Sequence, residues 1–261
     1  MHIQAHRHGF DDGFTEITNI GDSTGIALGV HKFKGGEGYN ETAKSETAWL
    51  LMDGRVSIEF DGEVREFERR SLFDDLPICL HVATGTEVAL TIIEDSEFTV
   101  YQTANTANFS PRLYRQDDVE SEDRGKGQVG DTCWRIVRTI FGIDNRDPDS
   151  ELVLGEVITF PGRWSSYPPH HHSQPEIYHY RFNEPQGYGH GELGNNVVKV
   201  RQYDTVKILD LNDHAQCAAP GYAMYYSWVI RHLPDKPYTA PEFTEEHAWV
   251  MKSDATFWQL T

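Results

Sequence analysis

The sequence lacks the features of membrane-spanning and disulfide-stabilised proteins. Its longest apolar runs are only a few residues, as in VALTII (Val88 to Ile93), whereas a membrane helix needs about 20. The three cysteines, Cys79, Cys133 and Cys217, form no CxxC pair and no disulfide framework, which suits a reducing compartment. The amino-terminal MHIQAHRHGF has no apolar segment, so we expect no secretion signal and a cytoplasmic protein.

Positive charge is also scarce. The chain carries 23 Lys and Arg against 41 Asp and Glu, a formal net charge of −18. Such a surface repels the phosphates of nucleic acids and anionic lipids, so we expect neither as a partner. An anionic substrate would need a locally positive pocket, supplied by a metal ion or an arginine. The many apolar strand segments are compatible with a homo-oligomer.

Helical periodicity is nearly absent, and short alternating segments separated by turn residues predict an all-β sandwich or barrel. The hairpin signal Asp61-Gly62 separates the first two segments. The segment Cys133 to Phe141 is the one helix candidate, and it is equally compatible with a strand. The predicted strands are Arg55 to Phe60, Glu63 to Glu68, Val88 to Ile93, Phe98 to Thr103, Glu151 to Phe160, Asn195 to Val200 and Asp204 to Leu211.

An acidic, glycine-containing stretch divides the chain. Residues 117–130 read as a connector between an amino-terminal barrel, 1–116, and a carboxy-terminal barrel, 131–261. On each side a strand leads to a lone histidine, His81 or His214, and then to a turn of small residues and an apolar strand. This pattern indicates a weak duplication of about 120 residues, although unrelated β-strands can also produce it.

The richest stretch is WSSYPPHHHSQPEIYHYRF, in the second half. On a strand His170 and His172 point to one face and His171 to the other. Glu176 follows four residues after His172, and His214 is the natural fourth ligand. Imidazoles and a carboxylate on one face suit a divalent cation. A solvated histidine-rich loop, or His171 replacing one ligand, remains an alternative.

The strand EIYHYRF also supplies candidate substrate contacts. Unbroken alternation places Glu176, Tyr178, Tyr180 and Phe182 on one face and Ile177, His179 and Arg181 on the other. An arginine such as Arg181 can clamp a carboxylate bidentately, although this alternation turns it away from Glu176. The tyrosines are equally compatible with ordinary packing. The candidates for acid–base chemistry or substrate contact are Tyr167, Tyr178, Tyr180, Arg181 and Gln186, with one of Tyr225 and Tyr226 facing the cavity and His179 and His190 as further lining candidates.

Among the remaining histidines, we expect His2, His6 and His8 to lie in a solvated amino-terminal tail. No HxH motif precedes His81, and the matching region offers only Glu41 and Glu46 as ligands. We therefore expect the amino-terminal barrel to have no metal site.

The histidine pattern is similar to the signature of the cupin family, and several segments resemble one branch of it. The signature positions are Gly162, His170, His172, Glu176, Gly187 and His214. The segments GRWSSYPPHHH, EIYHYRFNEPQGYG, APGYAMYY and EEHAWV resemble the 5-deoxyglucuronate isomerase family of inositol catabolism, which is related to the uronate ketol-isomerase of pectin breakdown. The resemblance implies a bicupin of two jelly-roll barrels with one metal ion in the second, bound by His170, His172, Glu176 and His214.

The implied activity is aldose–ketose isomerisation of a deoxy uronic acid, with 5-deoxy-D-glucuronate of myo-inositol catabolism as the expected substrate. Zinc is the commonest occupant of a histidine-rich set, and manganese, iron, nickel or cobalt would also suit it. The sequence departs from the family pattern around the ligands: His171, Ser173 and Ala215 replace the usual Lys, Asp and Pro, and SQP precedes a single glutamate. The alternatives are isomerisation of a pectin-derived uronate, a metal-dependent oxygenase and a non-catalytic sugar-binding cupin.

Overall fold

The computed structural model describes residues 1–60, 62–209 and 211–258. Within these ranges the chain is almost entirely β-strand. Its helices there are three single 3-10 turns, Gln116–Asp118, Val129–Asp131 and Ala248–Met251, and none of them has the length or apolar character needed to cross a membrane. The strands of the first half are β1 (His2–Ile3), β2 (Gly13–Thr18), β3 (Ile26–Phe33), β4 (Gly38–Thr42), β5 (Glu46–Phe60), β6 (Glu63–Arg69), β7 (Cys79–Val82), β8 (Glu87–Thr103) and β9 (Arg112–Tyr114).

The second half continues the same pattern of short strands. They are β10 (Glu122–Arg124), β11 (Arg135–Phe141), β12 (Leu152–Thr159), β13 (Trp164–His171), β14 (Glu176–Phe182), β15 (Tyr188–Leu193), β16 (Asn196–Arg201), β17 (Thr205–Ile208), β18 (His214–Ala218), β19 (Met224–Arg231) and β20 (Glu242–Phe243).

A single antiparallel sheet forms the first barrel because its two longest strands bend. β5 pairs first with β7 and then with β6, while β8 pairs with β4 and then with β3. Register shifts surround Gly54 in β5, where φ is +117° and an added Cβ would lie 2.1 Å from Ser96 Oγ. Only glycine fits this bulge. The bulge also reverses the alternation: Trp49 and Leu51 face the barrel core before it, and Val56 and Ile58 face that core after it.

Two sheets form the second barrel. One has the strand order β1-β17-β14-β19-β12-β11-β10, and the other has the order β16-β15-β18-β13-β20. Tyr178 and Tyr226 of the larger sheet and Val200 and Ala218 of the smaller one share an apolar core. The strands of the two sheets that carry the candidate ligands therefore face each other across the interior of the barrel.

A third apolar core joins the two halves. Leu28 and Leu50 of the first sheet pack with Leu154, Ile177 and other residues on the outer face of the larger second-half sheet. The strands β12 and β14 are thus buried on both faces along their whole length. Burial on both faces explains the nearly continuous apolar sequence of β12, whereas β14 also buries the polar side chains of Glu176, His179 and Arg181.

The strand predictions are confirmed, with some changes of extent. The segment Cys133 to Phe141 forms a strand, β11, and not a helix. Its successive side chains pack on opposite faces, because Ile136 contacts the core between the halves and Val137 the core of the second barrel. The predicted segments at residues 88–93 and 98–103 form one long strand, β8. The segment at 204–211 contributes only the short β17. β5 and β6 pair as the predicted hairpin. Asp61 of the predicted turn and Asp210 of the predicted strand at 204–211 lie outside the described residues.

The expectation of a solvated amino-terminal tail is wrong for its first residues. β1 pairs with β17 of the second barrel. The Asp204 carboxylate lies 2.7 Å from His2 Nε2 and accepts two hydrogen bonds from Arg7. The acidic connector also contributes a strand, because β10 pairs with β11. The division of the chain at residues 117–130 stays a prediction.

A buried ion cluster lies between the halves. The Glu156 carboxylate on β12 accepts hydrogen bonds from Arg69 at 2.8 and 3.0 Å, from Arg138 at 3.0 Å and from the Tyr225 hydroxyl at 2.9 Å. Arg69 and Glu156 are fully buried. A buried charge is tolerated only when it is paired and hydrogen-bonded, so each member of the cluster depends on the others.

Replacing this carboxylate with an amide tests how much the cluster contributes. We expect Glu156→Gln to lower the free energy of unfolding by about 3–5 kcal/mol, because two buried guanidinium groups lose their counter-charge. Urea unfolding followed by circular dichroism measures the change. The matched control is Glu66→Gln, which breaks an exposed pair with Arg55 and should leave the midpoint unchanged. Equal midpoints for the two variants would contradict this account.

Candidate active site

The candidate ligands meet where three strands begin or end. β13 ends at His171, β14 begins at Glu176 and β18 begins at His214. His170 and His214 are direct partners in the pairing of β13 with β18. Glu176 lies on the opposite sheet, so the cluster bridges the two walls of the second barrel.

Three of the four predicted ligands form a compact group. The Nε2 atoms of His172 and His214 lie 3.2 and 3.4 Å from Glu176 Oε2. The ligand atoms of these three buried residues are all within 4.8 Å of one another. His170 lies beside the group, with its ring centroid 4.3 Å from that of His214. His171 points elsewhere, with its Nδ1 atom 2.7 Å from Asp213, as the alternation predicted.

Backbone carbonyls orient all three imidazoles in the same way. The Nδ1 atoms of His170, His172 and His214 lie 3.1, 2.9 and 3.0 Å from the carbonyl oxygens of Ser166, Gln174 and Asn212. A carbonyl oxygen only accepts hydrogen bonds, so each Nδ1 carries the proton. Each Nε2 is then left with a lone pair. This is the arrangement that protein metal sites use to fix the tautomer of a ligating histidine.

The charges of the cluster also suit a cation. Burial alone would raise the pKa of the Glu176 carboxyl, but positive charge on the side of the carboxylate that faces His172 and His214 outweighs it and lowers this pKa to about 2. Burial, reinforced by the neighbouring His214, lowers the pKa of His170 to about 3. The cluster therefore presents an ionised carboxylate and a neutral His170 imidazole.

Without a cation, the cluster would leave polar atoms unsatisfied. Nε2 of His214 is buried, and among the described residues it has no hydrogen-bond partner. Lone pairs on two imidazoles would face a carboxylate oxygen, which also has only lone pairs to offer. A divalent metal ion resolves this conflict, and the nitrogen and oxygen donors are those of zinc and similar metals. The residues present therefore fit a metal ion.

A cavity of about 670 Å³ opens next to the cluster. Its polar lining includes His170, His172 and Glu176, and the aromatic residues beside them are Tyr178, Tyr226, Trp228, Tyr238 and Phe243. Of the tyrosine pair that follows the His214 turn, Tyr226 faces this cavity, and Tyr225 bonds Glu156 on the other side of the sheet. The expectation that one of the two faces the cavity is confirmed.

Hydroxyl groups cluster beside the imidazoles. The Tyr226 hydroxyl lies 3.0 Å from Ser165 Oγ and 3.0 Å from Ser166 Oγ. Burial raises the pKa of Tyr226 to about 12 and raises the pKa of Tyr178 above its usual value. Both phenols are therefore protonated near neutral pH and can donate hydrogen bonds to a ligand.

The structure does not bring all the predicted contact residues to the cavity. Tyr180 is buried in the barrel core, where its hydroxyl donates to Gln216 at 2.8 Å. Gln186 is exposed in the loop between β14 and β15, and half-buried Tyr167 packs against Trp164. None of these three lines the described cavity. Of the five candidates Tyr167, Tyr178, Tyr180, Arg181 and Gln186, Tyr178 alone reaches it.

Arg181 has the orientation that alternation predicts, and it is therefore not placed to clamp a substrate carboxylate in this cavity. It lies on the opposite face of β14 from Glu176, where it donates to Glu97 at 2.6 Å and stacks on the Tyr203 ring. The period-two alternation of an unbroken strand imposes this orientation. His179 shares that face and contacts Thr205, and His190 is exposed, so neither contributes to the cavity.

Several lining residues are not predicted from the sequence, and Arg135 and Tyr238 are two of them. Arg135 is on the cavity face of β11 with Val137 and Thr139, and alternation would have placed it there if the segment had been assigned as a strand. Tyr238 comes from the segment between β19 and β20. No sequence pattern around Tyr238 indicates that it reaches the cavity, because the path of this segment in the folded chain determines its position.

Comparison with known proteins points to one family. The sequence model of the KduI/IolB family matches residues 3–250. A 5-deoxy-glucuronate isomerase of Lacticaseibacillus casei is 26% identical over 249 residues, which cover 86% of this chain and 87% of that protein.

Solved structures give the same result for the fold. An IolB-like protein of Salmonella typhimurium LT2 is 25% identical with a TM-score of 0.80, covering 93% of this chain and 97% of that one. A cupin 2 conserved barrel domain protein of Leptotrichia buccalis is 10% identical with a TM-score of 0.53, covering 88% and 96% of the two chains. The predicted all-β bicupin fold is confirmed.

Metal binding by the cluster can be measured directly. We expect His172→Ala and Glu176→Gln to weaken zinc binding by on the order of 100-fold or more, since changes to residues that only support a ligand already cost 10- to 100-fold. Isothermal titration of the metal-free protein gives the affinities. His171→Ala is the matched control, because this neighbouring imidazole faces Asp213. A loss of affinity in the control as large as in the variants would show that His171 is a ligand.

Proposed function

This chain belongs to the KduI/IolB family, and we propose on that basis that it is a metal-dependent aldose–ketose isomerase of a deoxy uronic acid. The proposed substrate is 5-deoxy-D-glucuronate, an intermediate of myo-inositol catabolism and the compound in the name of the relatives. The observation that carries the proposal is the buried group of His172, Glu176 and His214, with two imidazole lone pairs directed at one carboxylate beside a large cavity.

His172, Glu176 and His214 would hold the metal ion, with His170 at the neighbouring fourth position. Zinc is the expected metal, and manganese, iron, nickel or cobalt would also suit these donors. A bound divalent cation keeps a net positive charge beside a single carboxylate, polarises a carbonyl oxygen and stabilises the negative charge that develops on it. The backbone carbonyls behind the imidazoles keep the Nε2 atoms in place for this role.

The protein's own side chains then position the sugar and handle its protons. Isomerisation of an aldose moves a proton from C2 to C1 and one between the oxygens of these carbons. Tyr178 and Tyr226, held as neutral phenols by burial, donate hydrogen bonds to sugar oxygens that lie near the imidazoles. The Ser166 hydroxyl fixes the Tyr226 oxygen. Trp228 and Tyr238 line the cavity and limit the access of water to the reacting carbons.

Turnover of the proposed substrate is the direct test. We expect the purified protein to convert 5-deoxy-D-glucuronate into the corresponding ketose acid, in which the carbonyl has moved from C1 to C2, in an assay followed by NMR. Chelation should abolish the conversion and metal add-back should restore it, because the cluster alone cannot polarise the carbonyl. The parallel assays are a pectin-derived uronate as substrate and oxygen uptake.

The outcomes separate the competing functions. If only the pectin-derived uronate is turned over, the proposed isomerase reaction is correct and the proposed substrate is wrong. Metal-dependent oxygen uptake without isomerisation would indicate an oxygenase, and sugar binding without any turnover would indicate a binding protein. Isomerisation that persists at full rate after complete metal removal would contradict metal dependence.

The cavity hydroxyls give a second prediction. We expect Tyr178→Phe and Tyr226→Phe to lower kcat by about 10- to 100-fold, because each removes a donor positioned beside the reacting oxygens. Tyr180→Phe is the matched control, since this phenol donates to Gln216 in the barrel core. Steady-state kinetics on the same substrate measures all three variants. An equal loss in Tyr180→Phe would mean that these tyrosines act through packing alone.

A further inference from the structure

Two guanidinium groups line the part of the cavity formed by β10 and β11. Arg135 on β11 and Arg124 on β10 are the two cationic side chains among the described residues of the lining. They are direct partners in the pairing of these strands. Glu176 lies on β14 of the same sheet, three strand positions from β11 in the order β14-β19-β12-β11.

Tyrosines of the cavity connect this part to the metal cluster. Burial raises the pKa of Tyr226 to about 12, and the charges of both Arg135 and Glu176 act on its hydroxyl with opposite signs. The ring of Tyr238 packs against that of His172, with the ring centroids 5.0 Å apart, and Tyr238 lines the same cavity as Arg124. The cluster residues His170, His172 and Glu176 and the two arginines thus line one and the same cavity.

Arg135 differs from the buried arginines that serve the fold. Arg69 and Arg138 pair with Glu156, and Arg181 pairs with Glu97. The one hydrogen bond of the Arg135 guanidinium to described parts of the chain goes from Nη1 to the backbone oxygen of Cys133, at 3.0 Å. Its remaining N–H groups are available to a ligand.

The surroundings of Arg135 increase its need for an anion. Burial lowers the pKa of Arg135, and the nearby positive charge of Arg124 lowers it further. Arg124 itself pairs with Glu122 at 2.9 Å. Besides Glu176, the acidic residues of the same lining are Asp118, Glu120, Glu122 and Asp144. In a chain of net charge −18, these carboxylates repel an anionic substrate unless an unpaired cation offsets them.

We propose that Arg135, with Arg124 beside it, binds the carboxylate of the sugar acid while the other end of the sugar lies at the His172–Glu176–His214 cluster. This inference rests on the proposed function and names the residue that makes the site selective for an acid. A planar guanidinium binds a carboxylate through two parallel hydrogen bonds. A neutral sugar leaves that partly buried charge without a partner and is bound less well.

Comparing an acid with its neutral analogue isolates this role. The acid is 5-deoxy-D-glucuronate, and the analogue has a hydroxymethyl group in place of the carboxylate. We expect Arg135→Gln to raise KM for the acid roughly 10- to 100-fold with little change in kcat and to leave KM for the neutral sugar unchanged. Arg135→Lys keeps the positive charge but lacks the planar guanidinium, so its KM for the acid should lie between those of the wild type and Arg135→Gln. Arg65→Gln, which breaks an exposed pair with Glu63, is the matched control.

A binding experiment separates this inference from the proposed function. D-Glucuronate and D-glucose are titrated into the metal-loaded wild type and variants. Preference of the wild type for the acid, reduced about 10-fold or more by Arg135→Gln, supports the inference even if 5-deoxy-D-glucuronate is not turned over, in which case only the function fails. Equal effects on acid and neutral sugar, or no preference in the wild type, would overturn the inference and leave isomerase activity standing. If Arg135→Gln does not fold, the same comparison of acid and neutral-sugar binding is made with Arg135→Lys.

Discussion

The second barrel is organised around one buried carboxylate. Glu176 cannot remain ionised in the interior without compensation, and the imidazoles that face it from the opposite sheet supply only lone pairs, so the compensating charge has to come from a cation held between them. Those imidazoles are useful only in one tautomer, which backbone carbonyls two to four residues away impose on each ring. The geometry of the strand ends thus determines which atoms face the carboxylate, and a cation is the group that satisfies all of them.

The first barrel contributes by supporting the other face of the same sheet. Glu176 and Tyr178 point into the cavity from β14, while Ile177 packs in the core between the halves and Arg181 pairs with Glu97 of β8. The buried cluster around Glu156 holds β12 against the first sheet in the same way. A strand fixed on its outer face presents its inner side chains with little freedom, and a metal site needs this rigidity.

The sequence was sufficient for the features that depend on local periodicity. Alternation correctly separated His170 and His172 from His171 and turned Arg181 away from Glu176. It could not show that His170 lies beside the compact group of three, because that depends on how β13 pairs with β18 and β20. Arg135 was not predicted because the pattern of its segment fits a helix and a strand equally well. Gln186 lies in a loop, where no alternation of residues indicates which way a side chain points. Tyr180 lies on the same face of β14 as Glu176, as predicted, but its side chain is buried in the barrel core and does not reach the cavity.

The central claim is that the Nε2 atoms of three histidines and the Glu176 carboxylate bind one metal ion. Anomalous X-ray scattering from crystals of the zinc-loaded protein tests it most directly. The account predicts one strong peak about 2.0–2.2 Å from Nε2 of His172, Nε2 of His214 and a Glu176 oxygen, with Nε2 of His170 completing the set. A peak coordinated through Nδ1 atoms or by His171, or no peak at this cluster in protein that binds zinc in solution, would contradict it.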